Sequence, residues 1–196
     1  MKSILTIALT ILISSSLMSQ AYEVGDYATD FKLLNIDGDY LSLSDYSDAK
    51  GFIVIFTTNH CPYAVAWEDR IIDLDKTFRS KGYPVIAINP NSAEAYPDDS
   101  YEKMIERAEQ KGFTFPYLHD AKQEIYKIYG ATKTPHVYVL NKEAEKLKVA
   151  YIGAIDNNYR DASEADEHYV RDAVNNLLAG KDPDPDFTRA IGCSIK

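Results

Sequence analysis

Thr58-Asn59-His60-Cys61 lies between an apolar run, Phe52 to Phe56, and a long amphipathic segment that opens with Pro62. This spacing puts a cysteine at a strand-to-helix junction, where the first N–H groups of the helix lack internal partners and carry partial positive charge. A thiolate gains there over a thiol. At the ordinary pKa of about 8.5 only roughly 3% of a thiol is ionised at neutral pH, whereas at about 6 roughly 90% would be nucleophilic. Position nominates Cys61 as a nucleophile, with His60 beside it to tune the sulfur. The competing reading is a small buried hydrophobe or half of a structural disulfide. Cys193 is the only other cysteine. A Cys61–Cys193 bridge would close a loop of about 130 residues and stabilise the fold by roughly 4 to 5 kcal/mol if unstrained. One thiolate with two imidazoles, Cys61, His60 and His136, is an alternative soft-metal set on ligand type alone. No organic cofactor is expected.

The elements that must position these residues follow from periodicity. Phe52 to Phe56 is continuously apolar, as expected of a central strand covered on both faces. Trp67, Ile71, Leu74 and Phe78 recur at helical spacing up to Lys81-Gly82, and Tyr83 to Ile88 supplies the next strand, giving a strand-helix-strand unit. A hairpin over 31–34 and 40–43, turning at Asp37-Gly38, precedes it. A helix near 100–110 follows, with Asp99 and Glu102 as a capping pair, then a helix over 121–129 closed by Gly130. Thr134-Pro135 introduces a strand over 136–140, which pairs across 141–148 with a strand over 149–152. His119 reads as a turn residue. The last helix is expected over about 164–178, and Asp182-Pro183-Asp184-Pro185-Asp186 reads as an extended linker that gives Cys193 reach without a fixed pose.

Composition bounds the rest. Lys2 and the apolar stretch Ile4 to Leu17, followed by Met18-Ser19-Gln20-Ala21, read as a cleaved export signal over 1–21, too short for a membrane anchor. Export to a periplasm or the exterior is the expected address, with no stable membrane insertion. One domain, 22–180, and a tail, 181–196, account for the remainder. The formal net charge is −9, which makes nucleic acid a poor partner. The late acids, Asp156, Asp161, Glu164, Asp166 and Glu167, read as a solvated surface.

Strand-helix-strand, connecting helix, hairpin and closing helix, with a cysteine at the first turn and an X-Pro before the third core strand, resembles the thioredoxin fold: α/β, a central mixed sheet flanked by helices, here with an N-terminal hairpin extension. The segment Phe56 to Tyr63 and the tail Ile191 to Lys196 resemble peroxiredoxin-like redoxins of the alkyl hydroperoxide reductase and thiol-specific antioxidant class. The resemblance implies a cis Thr134–Pro135 step facing the active thiol, Cys61 as a peroxidatic-like thiol, and Thr58 as the hydroxyl that helps position peroxide. Cys193 becomes a possible resolving thiol, free thiol or staple. The substrate is then a peroxide or a disulfide, and an external thiol is the reductant. Arg70 is the nearest candidate for the family's arginine, although nine residues past Cys61 a surface role is favoured. A redoxin that only binds a protein partner through the proline groove is the remaining alternative.

Overall fold

The computed structural model describes residues 21–196. In chain order the elements are β1 (Tyr27–Ala28), β2 (Lys32–Asn35), β3 (Tyr40–Ser42), β4 (Gly51–Phe56), α1 (Pro62–Phe78), β5 (Val85–Asn89), α2 (Tyr101–Lys111), β6 (Tyr117–His119), α3 (Ile125–Tyr129), β7 (Lys133–Thr134), β8 (His136–Glu143), β9 (Lys146–Gly153), α4 (Tyr169–Leu178) and β10 (Cys193–Ser194). Eight strands form one mixed sheet in the order β1-β9-β8-β4-β5-β6-β2-β3. β4 and β5 run parallel, as do β5 and β6, while β8 runs antiparallel to β4. The expected N-terminal hairpin extends this sheet, because β2 joins β6.

Every residue of β4 is buried, and the two-residue period of a strand explains why the run is apolar throughout. Ile53 and Ile55 point into one core with Trp67, Ile71, Leu74 and Phe78 of α1 and with Val170, Ala173 and Val174 of α4. Phe52, Val54 and Phe56 point into the opposite core with Tyr129, Tyr138 and Leu140. The sheet is therefore sandwiched, and its central strand ends beneath Cys61.

Several boundaries move for local reasons. The helix expected over 121–129 starts only at Ile125, because the Asp120 carboxylate accepts from the N–H groups of Glu124 and Tyr126, and Gln123 takes a φ of 55°. β8 and β9 run on through the expected connection to a tight turn at Ala144-Glu145, both at positive φ. That geometry suits a two-residue hairpin turn, but the Asn-Gly or Asp-Gly signal for it is missing. His119 closes β6 rather than sitting in a turn, and α4 begins at Tyr169. Ser100, not Asp99, caps α2, accepting from the Lys103 N–H.

The tail is the largest departure. A free linker was the expectation, yet the segment after α4 is held along its length. Ile152 donates to the Asp186 carbonyl, Thr188 donates to the Ile152 carbonyl, and Ile195 donates to the Thr132 carbonyl. At its end, Ser92 donates to the carbonyl of Lys196, and Lys196 donates to Asn91 Oδ1. Of the leader read over 1–21, all but Ala21 lies outside the described residues.

Candidate redox site

Cys61 is the residue before the first turn of α1, with extended backbone at φ −71° and ψ 120°, and Pro62 takes the first helical position. Proline fits there because its missing N–H would have had no helical partner. Cys61 therefore stands at the N-terminus of the helix, as the sequence spacing predicts. Cys61 is fully buried and forms a disulfide with Cys193, with 6.0 Å between their Cα atoms. Cys193 is carried by β10, which pairs antiparallel with β7 so that Cys193 stands opposite Thr134. The Thr134–Pro135 peptide is cis. The Thr134 carbonyl oxygen lies 3.3 Å from Cys61 Sγ, and the Thr58 and Thr134 hydroxyls meet at 3.3 Å.

Gly192 explains how the tail comes so near. A Cβ at this position would stand 2.2 Å from the Thr134 carbonyl oxygen and 2.6 Å from its carbon. Only a residue without a side chain lets the backbone of β10 reach the edge of β7 beside the proline.

The structure thus gathers Thr58, Cys61, Thr134, Pro135 and Cys193 at one point. His60 is next to Cys61 in the chain, but its Nδ1 is 2.5 Å from Oδ2 of Asp99, and its ring stacks on Tyr96 at 3.9 Å between centroids. Asp99 is fully buried. It also accepts from the Asn59 N–H at 2.7 Å and from Asn91 Nδ2 at 2.8 Å, and Asn89 Nδ2 stands 3.4 Å from it. A carboxylate expected at a helix cap instead pins the loop that precedes the cysteine. The signal that could have found it is Asn89-Pro90-Asn91, amide side chains at the carboxyl end of a central parallel strand, where α/β sheets build their sites.

His136 heads β8, opposite Phe56 of β4. Its Nδ1 accepts from the Thr132 N–H at 3.3 Å. Burial pushes its pKa down to about 4, since the charged imidazolium loses hydration that nothing replaces. Of the three residues of the alternative soft-metal set, Cys61 is bonded to Cys193, His60 Nδ1 lies against Asp99, and His136 takes a backbone donor. Among the described residues no group of three or more His, Cys, Asp or Glu side chains is placed to hold a metal ion.

The His136 shift has a measurable consequence. Above the unfolded pKa of about 6.5 the imidazole is neutral in both states, and its full contribution to stability is present. As pH falls from about 6.5 towards 4, the unfolded chain takes up a proton that the native protein does not, removing about 3 kcal/mol. Denaturant titrations of wild type and His136→Gln across this window should show a steeper loss in wild type; parallel curves would refute the assignment.

Arg70 is also corrected. It is largely buried rather than on the surface, donating to Asp156 Oδ2 and to the Asn158 carbonyl, both at 2.5 Å, with its guanidinium 5.8 Å from the Trp67 ring. Asp156 is buried as well, accepting from Trp67 Nε1 and the Asn158 N–H. This acid anchors the loop after β9 to α1 and is no part of a solvated face.

A cysteine at the N-terminus of the first core helix, opposite a cis-proline and bonded to a second cysteine, defines a redox protein built on a thioredoxin scaffold. Residues 24–151 match the AhpC/TSA family, and the chain belongs to that family. Among similar proteins, the thiol-disulfide oxidoreductase ResA of Halalkalibacterium halodurans is 24% identical over 64% of this chain and 66% of its own length. A Mycobacterium tuberculosis protein bearing a provisional peroxiredoxin name is 28% identical over 58% of this chain and 68% of its own length. The curated relatives are thus matched over about two thirds of their length. An uncharacterized conserved protein of Geobacillus kaustophilus, known from its crystal structure, is 34% identical with a TM-score of 0.82, covering 91% of this chain and 94% of that one.

Proposed function

We propose that the protein is an exported thiol-dependent oxidoreductase that cycles between a Cys61–Cys193 dithiol and the disulfide. The observation that carries this reading is the disulfide itself, made between the cysteine at the N-terminus of α1 and a cysteine held against Thr134, beside the cis-proline. In the first reading the substrate is a peroxide. The Cys61 thiolate attacks one peroxide oxygen, so that an S–O bond forms, the O–O bond breaks, and the departing alkoxide or hydroxide takes a proton. Cys61 is left as a sulfenic acid. Cys193 then attacks the oxidised sulfur, the S–S bond forms, and the hydroxyl leaves as water. Two electrons from an external thiol reductant restore both thiols. Thr58, hydrogen-bonded to Thr134 beside the sulfur, supports this reading as the hydroxyl that positions the peroxide.

A second reading is favoured by the position of Cys193. Disulfide exchange needs a second thiol to release the mixed disulfide. Residue 58 cannot serve, being threonine, but Cys193 lies within bonding distance. Export rests on the leader read over 1–21; among the described residues no helix is long and apolar enough to cross a membrane.

The test is intact mass with thiol alkylation on fully reduced protein, before and after one equivalent of hydrogen peroxide, in wild type and Cys193→Ser. Rapid loss of two thiols in wild type, with a trapped sulfenic acid in the variant, is the expected result. Slow reaction with peroxide but fast reaction with a small-molecule disulfide would select the second reading. Thiols inert to both would overturn the redox function in favour of a partner-binding redoxin.

A further inference from the structure

The tail that carries Cys193 is fastened beyond the disulfide, and at Lys196 side chains make the fastening. Asn91 is buried with both ends of its amide engaged: Oδ1 accepts from the Lys196 N–H at 2.9 Å, and Nδ2 donates to Asp99 Oδ2 at 2.8 Å. Gln123, half-buried just before α3, meets the same residue. Its Nε2 donates to the Lys196 carbonyl at 2.6 Å and to the Pro90 carbonyl at 2.8 Å, and the Ser92 N–H donates to the Lys196 carbonyl at 3.0 Å. The φ of 55° at Gln123 is a left-handed state that costs a residue with a Cβ about 1 to 2 kcal/mol, and these two contacts help offset it. Between this clamp and the disulfide each tail residue is paired: Cys193 with Thr134, Ser194 with Lys133, and the Ile195 N–H with the Thr132 carbonyl. The Asp99 carboxylate that holds Asn91 also accepts from the Asn59 N–H at 2.7 Å, in the loop that ends at Cys61. Both cysteines thus sit on segments tied to one buried Asn91–Asp99 pair, through contacts that do not run through the sulfurs.

We propose that Asn91 and Gln123 are positioning residues for Cys193: by fixing the end of the tail they hold β10 on β7 and favour closure of the Cys61–Cys193 bond. The inference rests on the dithiol–disulfide cycle proposed above. Neither residue bonds to a sulfur; each acts through the backbone of Lys196. In exchange with dithiothreitol, closure is the attack of the Cys193 thiolate on Cys61 in its mixed disulfide with the reagent. The Cys61–Cys193 bond forms, the mixed S–S bond breaks, and the departing dithiothreitol sulfur takes a proton. A tail with a loose end must give up more conformational freedom to reach that arrangement, so closure becomes less favourable.

The experiment equilibrates the full chain with graded ratios of reduced to oxidised dithiothreitol at pH 7, then alkylates and counts free thiols by intact mass. Gln123→Asn keeps an amide and tolerates the left-handed backbone, but is one methylene shorter. It should lower the equilibrium constant for closure by roughly fivefold, the size of one net hydrogen bond, and so raise the reduction potential by about 20 mV. Asn91→Ala should move the potential in the same direction by at least as much. A loss of stability common to the dithiol and disulfide forms leaves the potential where it is, so the shift separates positioning from mere support of the fold. An unchanged or lowered potential in Gln123→Asn overturns the proposal. Should Asn91→Ala fail to fold, Gln123→Asn decides alone. A wild-type bond that dithiothreitol cannot open would overturn the dithiol–disulfide cycle and the inference with it, whereas a wild type that exchanges normally beside unshifted variants overturns the inference alone.

Discussion

Cys61→Ser is expected to abolish turnover with peroxide and with disulfides alike, by at least about a thousandfold, because a serine hydroxyl at this position has no neighbouring base arranged to ionise it. The surroundings that favour a thiolate, chiefly the N-terminus of α1, do far less for a group whose pKa lies many units higher. Loss of the disulfide is a confounding effect of this variant, and Cys193→Ser controls for it. Both variants lack the bridge, but Cys193→Ser keeps the attacking sulfur and should still consume one equivalent of oxidant in a single turnover. A stopped-flow assay of the two proteins separates chemistry from stability. Full activity in Cys61→Ser, or equal inactivity of both variants in the first turnover, would remove Cys61 from the attacking role.

Opening the disulfide should lower the stability of the fold by about 3 to 5 kcal/mol. The bridge spans a sequence separation of 132 residues, and constraining so long a loop removes conformational entropy chiefly from the unfolded chain, by about 5 kcal/mol in the simplest estimate. Residual structure in the reduced unfolded chain trims that figure. For a domain of this size the loss corresponds to a fall in melting temperature of roughly 10 °C. Denaturant unfolding at matched pH, with and without reductant and with Cys193→Ser as a permanently open form, measures it directly. Coincident curves would show that the bridge constrains little, and that its presence reflects chemistry alone.

The scaffold was legible because its signals are local. A continuous apolar run at β4, the helical stripe through Trp67, Ile71, Leu74 and Phe78, and a cysteine-proline junction between them are each set by backbone period and by burial. The family resemblance at Thr134-Pro135 brought a second part of the site within reach. What escaped is long-range. Asp99 offered a good cap by its spacing, yet the carboxylate is spent on His60, Asn59 and Asn91, contacts that depend on where β5 ends. Arg70 and Asp156 are 86 positions apart and looked solvated, since charge alone does not say which acid a buried guanidinium will claim. The tail misled for a related reason. Its proline-acidic composition predicts a free, extended linker, but composition carries no information about the Ile152 and Thr132 backbone groups that receive it.

That anchoring sets a limit on the working cycle. In the proposed cycle, a tail still held at Thr188 and Lys196 as it is in the disulfide form would make Cys193 a reactant in a cage once the sulfurs part, with an effective concentration at Cys61 orders of magnitude above that of any thiol diffusing in solution. Ring closure would then outcompete trapping by free thiols, so that an oxidised Cys61 would be protected from over-oxidation. The converse burden falls on the reductant. It must capture one sulfur while the intramolecular rival waits within reach, which favours a dithiol donor able to finish the exchange in place over two successive encounters with a monothiol.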